Sequence, residues 1–192
     1  MQNFYQIGSG LQIGPLMLAI HRHQKDSQIW KEDTYLRDYP QGPFGDCESI
    51  ILRFPPRSVF ETEEALKEHL ENFDQHECVD QEPFKILPEA RPLVFGLMQF
   101  VNGERLGRVI INKIKPGGVI YPHEDTPAHA KYYDRFHIVL NSAPGVVFRA
   151  GDEQVYMETG SCWWFDNSQM HEVINNSAED RVHMVVDIRT SK

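Results

Sequence analysis

From about residue 107 to 189, apolar and polar residues alternate in short runs separated by turn residues. Alternation with period two is the mark of a strand with one buried face. It predicts strands over 107–115, 118–121, 134–141, 145–149, 153–157, 161–166, 170–175 and 181–189. Lys115-Pro116-Gly117-Gly118, Ala143-Pro144-Gly145, Ala150-Gly151-Asp152 and Asn175-Asn176-Ser177 supply the turns. The last run is the most regular. It places Val182, Met184, Val186 and Ile188 on one face, and Arg181, His183, Val185 and Asp187 on the other. Short strands at this spacing predict a mainly β chain, a double-sheet jelly roll of the cupin type with a few flanking helices.

The first half is less regular. Residues 61–73 read as a helix capped by Thr62, with Leu66, Leu70 and Phe73 forming one apolar stripe. A second helix is expected from Pro92 to about Val101, with Gly103 just past its end. It is apolar nearly all round, so it is expected to be buried. Gln12 to Ile20 and Glu48 to Phe54 read as strands beside the main sheet. Residues 38–46 and 54–57 carry loop chemistry. The expected organisation is one domain over 1–192, with residues 1–90 elaborating a core at 91–192.

The formal net charge of −9 disfavours nucleic acid and anionic membrane as partners, since both need a basic surface. It leaves room for a small anionic ligand held by local arginines. No apolar stretch reaches membrane-spanning length, and no basic run precedes the apolar part of the N-terminus, so neither a span nor a secretory leader is expected. Cys47, Cys78 and Cys162 are widely spaced and odd in number. Free thiols in a reducing compartment, the cytoplasm, are the simplest reading.

The chemistry enters at His123-Glu124-Asp125, with His171 46 residues beyond Asp125. On a continuing strand, residues i and i+2 point to one face. A jelly roll also brings distant strands together, so His171 is able to complete a two-histidine, one-carboxylate set. Such a set holds Fe(II) on one face and leaves positions open for other ligands. Alone, a His-x-Asp pair is also compatible with a surface strand end and a turn. Arg135 and His137 share a strand face, and Arg181 opens the last strand. Inside a jelly roll an arginine needs a carboxylate, and a dicarboxylate such as 2-oxoglutarate supplies one. Taken singly, Arg181 is equally readable as a solvated strand end. Trp163 and Trp164 should point to opposite sides, one into the core and one outward or toward the cavity. Asp166 is read as bracing the turn before His171. His129 and His183 are assigned surface or supporting roles, and His21 and His23 an exposed segment.

Pro122-His123-Glu124-Asp125, Arg135-Phe136-His137, Gly160 with Phe165-Asp166-Asn167-Ser168, His171-Glu172-Val173, and Arg181 with Val186-Asp187 follow one another in an order that resembles the aspartyl/asparaginyl β-hydroxylase family. The resemblance spans about 92–189. It implies a double-stranded β-helix and oxygenation dependent on Fe(II), 2-oxoglutarate and O2. It also implies that His123 and His171, with Asp125, are the metal ligands and catalytic centre. Arg135 and His137 resemble the pair that engages cosubstrate near the metal, and Arg181 resembles the anchor for its distal carboxylate. Animal members lack a carboxylate at the Asp125 position, whereas bacterial relatives acting on free amino acids such as proline keep it. The animal members also carry a transmembrane segment and helical repeats that this chain does not show.

The expected activity is therefore hydroxylation of an amino-acid-like or peptidyl substrate, with release of succinate and CO2. The alternatives are a cupin-like metalloenzyme without 2-oxoglutarate, or a non-catalytic jelly-roll binding module. Arg37, Arg53 and Arg57 are candidates for a substrate carboxylate, from a half whose loops are expected to set selectivity.

Overall fold

A computed structural model of the protein describes residues 2–26, 28–57, 62–72 and 74–191. In chain order the elements are β1 (Phe4–Gly8), α1 (Gly14–Asp26), β2 (Cys47–Phe54), α2 (Glu63–Asn72), β3 (Val79–Asp80), α3 (Glu82–Ile86), α4 (Ala90–Phe100), β4 (Gly103–Ile114), β5 (Val119–His123), α5 (Pro127–Tyr132), β6 (Asp134–Asn141), β7 (Val146–Ala150), β8 (Glu153–Val155), β9 (Cys162–Phe165), β10 (His171–Asn175) and β11 (Arg181–Thr190). They form a seven-stranded sheet, ordered β1-β9-β6-β11-β4-β2-β3, facing a four-stranded sheet, β5-β10-β7-β8. This is the jelly roll read from the alternation. The first 90 residues contribute β1, β2 and β3 to the larger sheet, the first as its edge strand against β9.

The alternation of β11 organises the interior. Val182, Met184, Val186 and Ile188 join a core on the outer face of the large sheet, with Leu16 and Ile20 of α1 and Leu93, Val94 and Leu97 of α4. Each such side chain, fully buried, contributes about 1.5–3 kcal/mol of apolar transfer. A second core lies between the sheets and includes Phe4, Ile120, Val139, Phe148, Phe165 and Val173. Arg181, His183 and Asp187 are nevertheless buried as well. They lie on the opposite strand face from Val182, Met184 and Val186, so three polar side chains are placed in the space between the sheets.

Two expectations need correction. Gln12–Ile20 is not a strand; from Gly14 it is α1. Leu16, Ala19 and Ile20 fall at i, i+3 and i+4 and all three are buried, with Pro15 at the first turn. A short apolar run does not separate strand from helix by period alone. Helix α4 is not buried all round either: Phe95 is 52% and Phe100 67% exposed. It lies on the sheet by one face and leaves the other open. Its stop is also one residue earlier than expected. Asn102 takes the left-handed φ of 51°, while Gly103 opens β4, where a Cβ would sit 2.6 Å from Ile188 Cγ2. Thr62 does cap α2, its Oγ1 accepting from the Ala65 N–H at 3.2 Å. The side chains of the stripe expected at Leu66, Leu70 and Phe73 lie outside the described residues. No described helix is long and apolar enough to cross a membrane.

Candidate metal centre

Strand β5 ends on His123 and β10 begins on His171, and the two residues are direct cross-strand partners. That pairing sets the imidazole centroids 4.2 Å apart, the closeness expected of a facing pair. Asp125 lies beyond the end of β5, in the segment leading to α5, so strand geometry does not place it. Two hydrogen-bonding partners do. Asn167 Nδ2 donates to Asp125 Oδ2 at 2.7 Å, and Arg135 pairs with the same oxygen at 2.7 Å. One ligand atom from each of His123, Asp125 and His171 lies within 4.8 Å of the other two.

The protonation states suit a cation. His123 Nδ1 donates to the Tyr121 carbonyl at 2.7 Å and His171 Nδ1 to the Gln169 carbonyl at 2.8 Å. A carbonyl only accepts, so each Nδ1 carries the proton and each Nε2 keeps its lone pair. Burial lowers the pKa of His123, and takes that of His171 down to about 4. Both rings are then neutral at ordinary pH. Burial alone would raise Asp125, but the charge of Arg135 and the Asn167 hydrogen bond bring it below its usual value. Two neutral imidazoles and a carboxylate, without thiolate, are a donor set for Fe(II) with open positions. The cysteines are no rivals: all three are free and buried, and burial raises Cys47 and Cys162 to about 12.

Arg135 is the hub behind the ligands. Its Nε and one terminal nitrogen donate to the two oxygens of Asp187 at 2.7 and 3.0 Å. His129 Nε2 donates to Asp187 Oδ2 at 2.8 Å. Gly107 permits this arrangement, since a Cβ there would meet the Tyr133 ring at 2.8 Å and Asp187 Cβ at 3.1 Å. The guanidinium of Arg135 is thus engaged by carboxylates of the protein itself.

Arg181 is different. It is 1% exposed, and its one hydrogen-bond partner here is His183, whose Nδ1 accepts from it at 2.9 Å. His137 Nδ1 lies 3.3 Å from that same acceptor. Arg181 Nε and Nη1 are buried without a partner among the described residues. Burial pushes its pKa down to about 9. A guanidinium keeps its proton in proteins, so the depression measures a folded-state cost that an anion would relieve.

His123, Asp125, His171, Arg135, His137 and Arg181 all line one cavity that opens to solvent. Phe148, Phe165, Ile120 and Val173 supply apolar wall. The sequence profile of the aspartyl/asparaginyl beta-hydroxylases matches residues 66–191. The chain belongs to the aspartyl/asparaginyl beta-hydroxylase family. No curated protein matches it. Among solved structures, a collagen prolyl hydroxylase of Paramecium bursaria Chlorella virus-1, in complex with 2OG, is similar in fold. It shares 12% identity over 100% of this chain and 97% of its own, with a TM-score of 0.52. A Pseudomonas putida prolyl-4-hydroxylase matches at 14% identity, over 100% and 95% of the two chains, with a TM-score of 0.49. A 2OG-Fe(II) oxygenase family oxidoreductase of Burkholderia pseudomallei matches at 16%, over 97% and 84%, with a TM-score of 0.48.

Some residues of this family member's site escape sequence reasoning. Asn167, Asp187, His129 and His183 support the cavity, and all are buried. Asp187 and His183 carried a signal, as polar residues on the face of β11 that also holds Arg181. Asn167 stood in the Phe165-Asp166-Asn167-Ser168 motif, with no role assigned to it. Asp166 braces that turn, accepting from the Ser168 backbone at 3.1 Å and from Gln169 Nε2 at 3.1 Å. Neither tryptophan faces outward or lines the cavity. Trp163 packs on the inner core and Trp164 on the outer one, with their N–H groups donating to Ser161 and Asp134. Arg37, Arg53 and Arg57 already pair with Asp38, Asp80 and Asp33.

Because Asn167 orients the candidate ligand Asp125 without being one itself, Asn167→Ala should weaken Fe(II) binding about 10- to 100-fold, read by anaerobic titration against a chelator. Unchanged affinity would show that Arg135 alone positions Asp125.

Proposed function

We propose that this protein is a dioxygenase dependent on Fe(II) and 2-oxoglutarate. It hydroxylates an amino-acid-like or peptidyl substrate and releases succinate and CO2. The observation that carries the reading is Arg181: a buried guanidinium with unsatisfied donors, in the cavity that also holds the His123, Asp125 and His171 donor set.

His123 Nε2, His171 Nε2 and a carboxylate oxygen of Asp125 hold the metal from one side. Bound there, iron supplies the one-electron and oxygen chemistry that side chains lack. Arg181 takes the distal carboxylate of 2-oxoglutarate with its free donors, a charge-assisted contact in a dry site. The neutral ring of His137 lies beside that anchor without adding a competing charge. Arg135 and Asn167 keep the Asp125 carboxylate ionised and aimed. The apolar wall of Phe148, Phe165 and Val173 limits water around the reacting groups. The acidic surface argues against nucleic acid as substrate, and the buried free thiols suit a reducing compartment such as the cytoplasm.

The test is spectroscopic and chemical. Anaerobic protein with Fe(II) and 2-oxoglutarate should develop a weak visible charge-transfer band, and admission of O2 should release succinate. Absence of the band overturns the proposal. Metal binding indifferent to 2-oxoglutarate would favour a cupin-like metalloenzyme, and no metal binding at all a binding module.

A further inference from the structure

One guanidinium on the cavity is not used by the metal site or by the cosubstrate anchor. Arg108, on β4, lines the cavity, and its Nε is buried without a hydrogen-bond partner among the described residues. Its guanidinium lies 5.1 Å from the centroid of the Phe54 ring. Most of the other described arginines meet carboxylates, among them Arg37 with Asp38, Arg57 with Asp33, Arg149 with Glu172, and Arg135 with Asp125 and Asp187; Arg22 is exposed and Arg91 lies over the Phe84 ring. In a chain of net charge −9, carboxylates are not scarce. The two arginine side chains left with buried, unpartnered nitrogens, Arg108 and Arg181, line the same cavity.

They do not share one ligand easily. On the β4–β11 ladder Arg181 stands opposite Ile114, six residues along β4 from Arg108. At ~3.3 Å per residue that separates the two backbones by roughly 20 Å. The five carbons of 2-oxoglutarate span at most roughly 6 Å, four bonds of ~1.5 Å. Arg108 lies instead at the level of the metal ligands. Gly107 abuts Asp187, and Asp187 pairs with Arg135, the partner of Asp125. The strand order β6-β11-β4 puts Arg108 two strands from Arg135, or roughly 10 Å at ~4.8 Å per strand. A group held on Arg108 is therefore within one small molecule's length of the metal.

The wall around it is apolar. Leu36, Phe44, Phe54 and Ile110 line this part of the cavity. Phe44 lies edge-on to His123 at 5.5 Å, and the Tyr121 N–H donates to the Pro43 carbonyl at 3.0 Å, tying that segment to β5. The wall thus bridges Arg108 and the metal ligands.

We propose that Arg108 is the anchor for the substrate, and that the substrate carries a free carboxylate joined to an aliphatic body. The inference rests on the function proposed above and names the substrate class for that site. The carboxylate belongs either to a free amino acid or to an acidic side chain of a peptide. Arg108 holds it while Leu36, Phe44 and Phe54 cover the carbon chain that extends toward His123 and Asp125.

The experiment measures succinate release above the no-substrate background, with Fe(II), 2-oxoglutarate and O2. The probes are the twenty free L-amino acids, their carboxamides, and an end-blocked aspartyl tripeptide beside its asparaginyl counterpart. At least one acid should stimulate release at least ~10-fold more than its amide. Whether a free amino acid or the aspartyl tripeptide does so identifies the source of the carboxylate. Arg108→Gln should lower kcat/KM for that acid about 30- to 1000-fold, chiefly through KM, and erase the preference for acid over amide. Arg108→Lys should recover part of both. Equal stimulation by acid and amide overturns the inference, as does a preference that survives in Arg108→Gln. So does stimulation by no acid while background release persists, or a loss of 2-oxoglutarate affinity in Arg108→Gln as large as that in an Arg181 variant. No charge-transfer band and no background release would sink the proposed function itself, and this inference with it.

Discussion

Replacing His171 by alanine should abolish Fe(II) binding and leave the fold standing. The metal loses one of three protein ligands, and the remaining pair, His123 and Asp125, no longer closes a face. Loss of an outer hydrogen-bond partner costs about 10- to 100-fold in affinity, so loss of a ligand should exceed about 100-fold. The fold survives because β10 is held through its backbone between β5 and β7 and through Val173 in the inner core. The ring meets Phe165 edge-on at 5.1 Å and His123 in a tilted contact at 4.2 Å. Losing them should cost about 1–2 kcal/mol. Anaerobic titration gives the affinity, and thermal melting of the apoprotein gives the stability. His21→Ala, on the exposed side of α1, is the right comparison and should bind metal normally. His129→Ala is not neutral, because His129 donates to the Asp187 carboxylate that fixes Arg135. Tight Fe(II) binding by His171→Ala would refute the assignment of the centre.

What was legible in the chain follows from the range of the interactions involved. The strands from Gly107 onward show in the alternation because one face of each is buried along its own length, a local property. His123 and Asp125 were legible as a pair by spacing. That His171 is the cross-strand partner of His123 was not, since the β5–β10 register depends on the closure of the whole roll. The reason offered for Asp125, a continuing strand, was wrong in detail: it lies past the strand end and is held by Asn167 and Arg135, residues far away in sequence. The pairing of Arg135 with Asp187 is a register contact between β6 and β11, invisible in one dimension. Arg108 did carry a faint signal. Arg108, Ile110 and Asn112 alternate with Val109 and Ile111, which join the outer core, so Arg108 had to face the lumen. The candidates read from the sequence for a substrate carboxylate, Arg37, Arg53 and Arg57, are each paired with an aspartate instead.

Arg181→Met should make the apoprotein more stable and the cosubstrate bind poorly, two effects of opposite sign. The first follows from the electrostatics. Arg181 is fully buried, burial lowers its pKa from the ordinary arginine range to about 9, and no described carboxylate relieves it. A cation whose folded pKa lies below its unfolded one costs stability at every pH below about 9. Methionine fills similar volume without a charge, and such replacements of buried ionic groups often stabilise by about 1–4 kcal/mol. A purely structural arginine predicts the reverse, a loss of stability on substitution. The second effect follows from removal of the donors. Truncating one partner of a buried charged pair costs about 2–5 kcal/mol of binding, or roughly 30- to 5000-fold in affinity. Ligand linkage joins the two measurements. On the proposed function, excess 2-oxoglutarate should raise the melting temperature of the unmodified protein by an amount that grows with the logarithm of its concentration over Kd, and should leave that of Arg181→Met almost unmoved. Without ligand the variant melts higher; with saturating ligand the order narrows or inverts. On the proposed function, that inequality is the mark of a buried charge kept for recognition at the expense of stability. A variant less stable than the parent that still responds fully to 2-oxoglutarate would remove Arg181 from the binding site.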